Sequence, residues 1–250
     1  MQSLAPAKLN LFLHITGKRE DGYHLLQSVF VFVELGDTLT ISPASQSSLQ
    51  VTGPFAGELS DVQNNLVWRA LLAAKQENPN LPEVAIQLEK NLPVASGLGG
   101  GSSDAATLLR MLAQMGQGWQ PSDALLQSLG ADVPACYAAK SLWVEGIGEQ
   151  LRPIAYTPRW FAVLVNPGVA IATREVFARL LRHSPPMKQP DLSFESAWKQ
   201  LLEQTKNDLE PVAFTLAPGI QPVLDSLSRQ PGCFAARMSG SGATCFGLFD

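Results

Sequence analysis

The sequence is short of charge and of cysteine. Only 16% of its 250 residues are charged, and the net charge is −4 at pH 7. A chain with this balance has no general attraction for nucleic acid or for an anionic membrane, so any phosphate binding must come from local groups. The three cysteines are odd in number and lack metal-ligand spacing, which disfavours a disulfide framework and fits a reducing cytoplasm.

Long apolar runs are also missing. No stretch approaches the ~20 apolar residues of a membrane span, and residues 1–7 lack the basic segment and apolar run of a signal peptide. We therefore expect a soluble cytoplasmic protein whose partners include neither nucleic acid nor a membrane. We also expect a monomer or weak homodimer. Its 46% hydrophobic content is enough to bury one large core or two modest ones.

The first third of the chain is patterned as β structure. Residues 7–16 alternate between an apolar side and a side that carries Lys8 and Asn10, which predicts a half-buried strand. Residues 19–22 predict a turn. The β-rich run 28–35, followed by Gly-Asp and residues 38–41, predicts a hairpin. A short strand is expected at 49–52.

Helical patterns then alternate with short strands. Asn64 or Asn65 is expected to cap a helix that Asn78-Pro79 ends. A strand, a glycine-rich segment and an amphipathic helix follow this helix. A proline-containing link at 154–159 predicts a boundary between domains 1–155 and 156–250. The pattern as a whole predicts an α+β fold. Further strands are expected at 84–88, 142–145, 161–165, 234–238 and 244–249, and helices at 122–129, 173–181, 194–202 and 220–227.

The glycine-rich segment is the strongest chemical signal. A phosphate-binding turn needs backbone N–H groups that point into one concavity without Cβ atoms in the way, and a helix start adds the positive end of its dipole. Four glycines between residues 97 and 101 provide such a backbone, and Ser102 and Ser103 add hydroxyls for phosphate or Mg²⁺. The segment lacks the lysine of the Walker loop and the spacing of the dinucleotide fingerprint.

Positive charge for a transferring phosphoryl group must then come from elsewhere. Lys8 on the first strand is a candidate, and Asp132 in a Gly-Ala-Asp-Val-Pro turn offers a carboxylate general base. Taken singly, a strand lysine is usually solvated and a turn aspartate is usually a turn former.

Two other turns carry polar or aromatic groups. Tyr23 and His24 follow a glycine turn, where they could read a base or sugar or could form part of an ordinary surface turn. Residues 239–242, Ser-Gly-Ser-Gly, could cradle phosphate or join two strands as a hairpin. The residues alone leave both questions open.

Several of these motifs occur together in one family. The chain resembles the GHMP kinases through Pro6-Ala7-Lys8-Leu9-Asn10-Leu11, Asp21-Gly22-Tyr23-His24, Pro93 through Asp104, Gly130 through Pro134, Glu145 through Glu149 and Ser239 through Ala243. The resemblance spans nearly the whole chain in the expected order. It implies a kinase domain of ribosomal-S5-like type, a ferredoxin-like second domain and a cleft between them.

The resemblance also implies an activity. An ATP-dependent kinase with Mg²⁺ would phosphorylate the 2-hydroxyl of 4-diphosphocytidyl-2-C-methyl-D-erythritol, a small-molecule intermediate of the non-mevalonate pathway to isoprenoid precursors. Asp132 would be the general base, Lys8 would orient it, and Ser103 would approach the Mg²⁺. ATP would lie over Pro93, Val94, Ala95, Ser96, Gly97, Leu98, Gly99, Gly100, Gly101, Ser102 and Ser103.

The acceptor would be held by residues from separate parts of the chain. By resemblance, Asn10 would help to hold it, Tyr23 and Phe177 would sandwich the cytosine, and His24 would read its polar edge. The chain could instead be another GHMP kinase, acting for example on mevalonate or homoserine. The cytosine-binding set Tyr23, His24 and Phe177 argues against this alternative. A second alternative is a nucleotide-binding sensor without catalysis. Such a protein normally loses the acid–base pair, whereas Lys8 and Asp132 are both present here.

The chain departs from the family in two places. Ala95 and Ser96 stand where some relatives have glycines, which should leave the core of the loop intact. The chain ends at Asp250, where members usually continue through another helix and strand. We therefore expect a shortened second domain with an exposed sheet edge and apolar surface.

Overall fold

The computed structural model describes residues 1–59, 61–116, 118–180 and 183–250. Strands and helices alternate along the chain, as an α+β fold requires. In order they are β1 (Gln2–Lys18), β2 (His24–Pro43), β3 (Ser48–Thr52), α1 (Leu66–Glu77), β4 (Val84–Glu89), α2 (Gly100–Met115), α3 (Asp123–Leu129), α4 (Val133–Ala138), β5 (Leu142–Glu145), β6 (Gln150–Pro153), β7 (Phe161–Val165), α5 (Thr173–Ala178), α6 (Glu195–Gln204), α7 (Glu210–Leu216), α8 (Ile220–Ser228), β8 (Cys233–Met238) and β9 (Cys245–Phe249).

The residues cluster into two compact units that interleave along the chain. The first unit comprises Met1–Lys8, Val33–Val94 and Gly99–Ala139, and the second comprises Leu9–Phe32, Ala95–Leu98 and Lys140–Asp250. The predicted domain boundary at residue 155 stays a prediction. Within the described ranges, no helix is both long and apolar enough to cross a bilayer.

The first unit contains a β3–β4–β2 ladder and helices α1 to α4. In this ladder β4 runs antiparallel to β2, with Thr38 opposite Glu89, and parallel to β3, with Ser48 opposite Ala85. Helix α2 packs against α1 and α4. Its buried face confirms the predicted apolar stripe and includes Ala105, Leu108, Leu109 and Leu112.

The second unit contains two sheet segments. The N-terminal part of β2 pairs antiparallel with β5, which pairs with β6. A separate three-stranded sheet has the order β7–β9–β8, so β7 and β8 are its edges. Apolar residues of β7 are exposed, among them Phe161 at 72% and Val163 at 46%. The core of this unit gathers Leu13, Ile15, Ile171, Val176, Leu209, Ala213, Ala217, Ile220, Leu224, Leu227, Met238, Ala243 and Cys245.

The predicted hairpin at Gly36-Asp37 is wrong, because β2 runs without a turn from His24 to Pro43. Glycine is needed at position 36 because the backbone of β1 packs closely against it, and not because the chain turns there. A Cβ at this position would overlap the backbone carbonyl of Ala5 on β1. A glycine inside a strand can mark such close backbone packing as well as a bend.

The half-buried character predicted for β1 is also wrong. The strand extends from Gln2 to Lys18, and both of its faces are buried between Ala7 and Ile15. Lys8 is only 4% exposed and Asn10 only 3%. Polar side chains buried to this extent need hydrogen-bonding or charged partners, and Lys8 has one in Asp132.

Several other predictions can be checked against the elements. Asn65 caps α1 by accepting from the N–H of Val67, and Ser122 caps α3 by accepting from that of Leu125, as their side-chain chemistry favours. The sequence reading missed β6, α7 and α4, the last of which begins inside the turn predicted at residues 130–134. Helix α5 ends at Ala178, and residue 181, where its predicted end falls, lies outside the described residues.

We expect Gly36→Ala to destabilise the protein by about 1–3 kcal/mol, because the added methyl group forces β2 away from β1. Urea unfolding measures this loss. Gly57→Ala is the matched control, since a Cβ at Gly57 meets nothing within 4 Å, and its effect should stay within ~0.5 kcal/mol. Equal stability of the two variants would contradict the close packing of β1 against Gly36.

Candidate active site

The glycine-rich segment leads directly into α2. Gly99 precedes the helix with φ at 64°, and α2 begins at Gly100. The first N–H groups of a helix have no partner within it, and together with the helix dipole they attract anions. Gly101 faces open space, since a Cβ there would meet nothing within 4 Å. An anion therefore has access to this turn.

Lys8 and Asp132 meet beside this turn in the first unit. The Lys8 Nζ lies 3.2 Å from Asp132 Oδ2, and the lysine side chain is 5% exposed while that of the aspartate is 35% exposed. A Cβ at Gly99 would lie 3.1 Å from Lys8 Cε and 3.8 Å from Asp132 Oδ2. The ammonium is thus enclosed, whereas the carboxylate can be reached from solvent.

Asp132 occupies an unusual position for a helix-capping residue. It is the N-cap of α4, yet its side chain makes no capping hydrogen bond. An N-cap aspartate ordinarily accepts from the N–H groups of the first turn. Here its Oδ2 lies against Lys8 instead, which leaves the carboxylate oriented for a role outside its own helix.

A second charged cluster lies under the start of α2. The Lys90 ammonium contacts Asp37 Oδ2 and lies 2.8 Å from Asp104 Oδ2. Asp37 also accepts from the backbone N–H groups of Asn91 and Leu92, at 2.6 and 2.8 Å. A Cβ at Gly100 would lie 3.4 Å from both Lys90 Nζ and Asp37 Oδ2, so this cluster sets the floor of the glycine turn.

The protonation of this cluster follows from its burial. Desolvation raises the pKa of Asp104 to about 8, against the opposing charge of Lys90. Burial alone would lower the pKa of Lys90, but the Asp104 and Asp37 carboxylates together outweigh it and raise that pKa. Among the described residues, Asp104 Oδ1 is a buried polar atom without a hydrogen-bond partner. One ammonium is therefore shared by two carboxyl groups.

Ser103 is fully buried, and its hydroxyl donates to the carbonyl of Pro6 at 2.7 Å. Ser102 is half-buried and adjacent to it, so it has the more accessible hydroxyl of the two. Within the described ranges, no group of three or more His, Cys, Asp or Glu side chains could hold a metal ion. The contact of Ser103 with Mg²⁺ stays a prediction.

In the second unit, the middle of the glycine segment lies against the turn at residues 239–242. Ser239 Oγ donates to the carbonyl of Gly97 at 2.9 Å and accepts from the N–H of Asn10 at 3.2 Å. Asn207 donates from its amide to the carbonyls of Met238 and Gly240, at 2.8 and 2.7 Å. The turn thus joins β8 to β9 and also braces Gly97, and the sequence alone had left its role open.

The remaining predicted residues of the phosphate loop differ in exposure. Ser96 and Leu98 are buried, Pro93 and Val94 are half-buried, and Ala95 is exposed. Ala95 has φ at 50°, a left-handed conformation that glycine adopts without strain. Ala95 therefore holds a backbone conformation that is strained for a residue with a Cβ.

The residues predicted to hold a base lie in the second unit. The ring centroids of His24 and Phe177 are 5.2 Å apart with an interplanar angle of 43°, while Tyr23 is 60% exposed. Burial lowers the pKa of His24, and the charges of Lys18 and His183 lower it further. His24 is therefore neutral at pH 7 and has one donor and one acceptor nitrogen.

Sequence reasoning missed four polar residues that support this site. Lys90 and Asp37 were not singled out because a single charge in a strand or loop is normally solvated. Asn207 and Arg110 gave no signal either, since each acts by hydrogen bonding to backbone carbonyls that are distant in sequence. Arg110 donates to the carbonyl of Cys136 at 2.5 Å.

The raised pKa of Asp104 predicts a dependence of stability on pH. The folded state keeps its proton up to about pH 8, whereas the unfolded carboxyl, with an ordinary pKa of 3.8, loses it near pH 4. The free energy of unfolding should thus fall as pH rises from 4 to 8, by at most ~1.4 kcal/mol per unit.

Asp104→Asn removes this proton and should flatten the slope, as urea unfolding at pH 5.5, 6.5, 7.5 and 8.5 would measure. Asp123→Asn, at an exposed position on α3, should leave the slope unchanged. Parallel curves for Asp104→Asn and the unsubstituted protein would contradict the assignment.

Comparison with known proteins identifies the family of the chain. The family pattern described as GHMP kinases N terminal domain matches residues 65–141, and that described as GHMP kinases C terminal matches residues 192–250. A 4-diphosphocytidyl-2-C-methyl-D-erythritol kinase of Paracoccus denitrificans is 49% identical over 98% of this chain and 85% of its own length. A kinase of the same name from Brucella melitensis is 47% identical over 99% of this chain and 85% of its own.

Solved structures show the same relationship. A crystal structure of 4-(cytidine 5'-diphospho)-2C-methyl-D-erythritol kinase superposes with a TM-score of 0.81 at 36% identity, covering 99% of this chain and 90% of that one. A homoserine kinase from Cytophaga hutchinsonii has a TM-score of 0.68 at 19% identity, with 99% and 84% covered, and thus shares the fold. The chain belongs to the GHMP kinase family and, within it, to the group of 4-diphosphocytidyl-2-C-methyl-D-erythritol kinases.

Proposed function

We propose that the protein transfers the γ-phosphoryl group of ATP to the 2-hydroxyl of 4-diphosphocytidyl-2-C-methyl-D-erythritol. The observation that carries this proposal is the Lys8–Asp132 ion pair at 3.2 Å, beside the glycine turn that begins α2. Phosphoryl transfer depends on positioning and electrostatics more than on covalent chemistry. A carboxylate, an enclosed cation and a phosphate-binding turn in one unit provide the parts it needs.

In this proposal Asp132 is the general base. Its accessible carboxylate takes the proton of the acceptor hydroxyl as the oxygen attacks phosphorus, a role that requires direct approach of the substrate. Lys8 fixes the orientation of Asp132 and stabilises the negative charge that develops on the transferring group. The 5% exposure of the Lys8 side chain supports this role, because a desolvated cation interacts more strongly with nearby charge.

The ATP phosphates bind over residues 93–103 in the proposal. The N–H groups at the start of α2 donate hydrogen bonds to the phosphate oxygens. Ser102, which is half-buried, has the hydroxyl that can reach them, whereas the Ser103 hydroxyl is buried and donates to the carbonyl of Pro6. Mg²⁺, when bound with the nucleotide, neutralises charge on its β- and γ-phosphates. Phosphate oxygens and water would supply most of its ligands, which is compatible with the lack of a carboxylate cage among the described residues. Ser102 has the accessible hydroxyl that would reach the ion.

The acceptor is held by residues of the second unit. We propose that Asn10 helps to hold it, that Tyr23 and Phe177 stack on the cytosine, and that His24 bonds to its polar edge. The half-buried neutral imidazole of His24 next to the Phe177 ring supports this assignment, since a base needs both a π-face and hydrogen-bonding groups.

The remaining proposals concern the organisation of the protein. We propose domains 1–155 and 156–250, a monomer or weak homodimer, and action in the cytoplasm on small molecules. The acidic net charge of −4 supports a lack of nucleic-acid and membrane partners. The cysteines at positions 136, 233 and 245 are free thiols, which supports a reducing compartment.

We expect Asp132→Asn to bind ATP but to lose about 10²–10⁴-fold in kcat, because the amide keeps the shape of the side chain and cannot take a proton. An ATP-consumption assay with the cytidylated substrate measures turnover, and calorimetry measures ATP binding. Asp123→Asn, an exposed exchange on α3, is the matched control. Normal turnover by Asp132→Asn would show that the base is another group.

The acceptor assignment has its own test. Phe177→Ala should raise KM for the cytidylated substrate about tenfold or more and leave KM for ATP unchanged, since one base stack contributes ~1–3 kcal/mol. Phe161→Ala, which removes an exposed ring on β7, should change neither constant.

A panel containing mevalonate, homoserine and uncytidylated methylerythritol phosphate completes this test. Turnover of a plain alcohol as fast as the cytidylated one would contradict the cytosine site. ATP binding without turnover of any alcohol would favour a nucleotide sensor instead.

A further inference from the structure

Helix α4, which begins at the proposed base, is weakly stabilised at its own two ends. It has only six residues, and its N-cap Asp132 makes no capping hydrogen bond. Its C-cap, Ala139, has φ at 45°, a left-handed conformation that is strained for alanine and that helix ends usually assign to glycine. A helix this short is not stable on its own, so its position depends on contacts from outside.

Arg110 supplies such contacts at the C-terminal end of α4. Its Nη1 donates to the carbonyl of Cys136 at 2.5 Å and to that of Tyr137 at 3.2 Å. These carbonyls belong to the last turn, where acceptors lack partners within the helix and the dipole favours a cation. The Nη2 donates to Thr107 Oγ1 at 2.7 Å, and this bond holds the guanidinium in place.

The position of Arg110 in the chain connects two functional elements. Arg110 and Thr107 lie on α2, whose first turn is the phosphate-binding turn, while the carbonyls that Arg110 binds belong to the helix capped by Asp132. Helices α2 and α4 pack directly against each other. The guanidinium therefore links the element that receives the phosphates to the element that carries the base.

We propose that Arg110 is a positioning residue for phosphoryl transfer, which fixes α4 against α2 so that the Asp132 carboxylate stays aligned with the phosphate-binding turn. This inference rests on the proposed function, because it requires Asp132 to act as the base. Arg110 acts through Asp132 and touches no substrate.

Because α4 has buried residues, the loss of Arg110 should change the alignment of this helix and should not unfold it. Val133, Ala135 and Cys136 are completely buried, so apolar packing keeps the helix on the protein without Arg110. Packing of small side chains is less directional than three hydrogen bonds from one planar group. Loss of the guanidinium should thus loosen α4, and misplacement of a reacting group by about 1 Å can cost ~10²-fold in rate.

The direct test compares Arg110→Met and Arg110→Lys with the unsubstituted protein. Arg110→Met should lower kcat by about 10–100-fold and leave the Kd for ATP within about twofold, because the phosphate-binding turn itself is untouched. Arg110→Lys should recover part of the loss, since lysine keeps the charge but not the planar fork. Arg229→Met, at an exposed arginine at the end of α8, is the matched control and should retain full activity.

A double-substitution cycle distinguishes positioning of the base from a general structural role. In the Asp132→Asn background, adding Arg110→Met should lower the residual rate by less than twofold, because there is no base left to align. Hydrogen exchange should meanwhile speed up at the α4 amides of Arg110→Met and stay unchanged in α1.

Two results would overturn the inference while leaving the proposed function intact. One is an unchanged kcat in Arg110→Met, and the other is an equal fold-loss in both backgrounds of the cycle. An unsubstituted protein that binds ATP but does not phosphorylate the cytidylated substrate would instead overturn the proposed function, and the role of Arg110 with it.

Discussion

The close approach of Lys8 to the backbone at Gly99 is the constraint on which the candidate site depends. A side chain at position 99 would compete with the lysine stem, whose Cε lies 3.1 Å from the place a Cβ would take. Because the backbone there is bare, the ammonium reaches Asp132 and remains enclosed. The two partners of the pair are buried unequally, since the Lys8 ammonium is shielded and the Asp132 carboxylate is accessible from solvent.

The same helix start rests on a second, wholly buried set of ionisable groups. Placing Lys90, Asp37 and Asp104 away from water costs free energy that well-packed apolar side chains would not. These three side chains fix the orientation of the groups they bind, because a hydrogen bond is directional. Apolar contacts would allow several orientations. Helix α2 thus has a rigid floor under its first turn and, through Arg110, a rigid link to α4 further along.

The second unit, whose residues we propose to hold the acceptor, is organised differently from the first. In the second unit, hydrogen bonds from Asn207 and Ser239 to backbone carbonyls shape the turn at residues 239–242, and the rings of His24 and Phe177 lie together on separate elements. Kinases of homoserine, galactose and mevalonate share this fold with this chain at 13–19% identity. The fold therefore does not determine the acceptor, and the side chains placed on it must.

The sequence by itself determined the local features of the protein. Capping residues and apolar periodicity located α1, α2 and α3 because these signals act within a few residues, and the glycine segment indicated a phosphate turn for the same reason. Motifs in a family order also indicated Lys8 and Asp132. Neither residue carries a distinctive local signal, so their pairing at 3.2 Å became visible only in the folded chain.

Only the tertiary structure decided which polar residues lie inside. It placed both faces of β1 in the interior, passed β2 straight through Gly36-Asp37 because β1 lies against that glycine, and brought Lys90 between two carboxyl groups. It also carried Arg110 from the apolar helix α2 to the carbonyls of α4. These contacts join residues that are 14 to 53 positions apart, and the pattern of neighbours along a chain contains no information about such partners until packing brings them together.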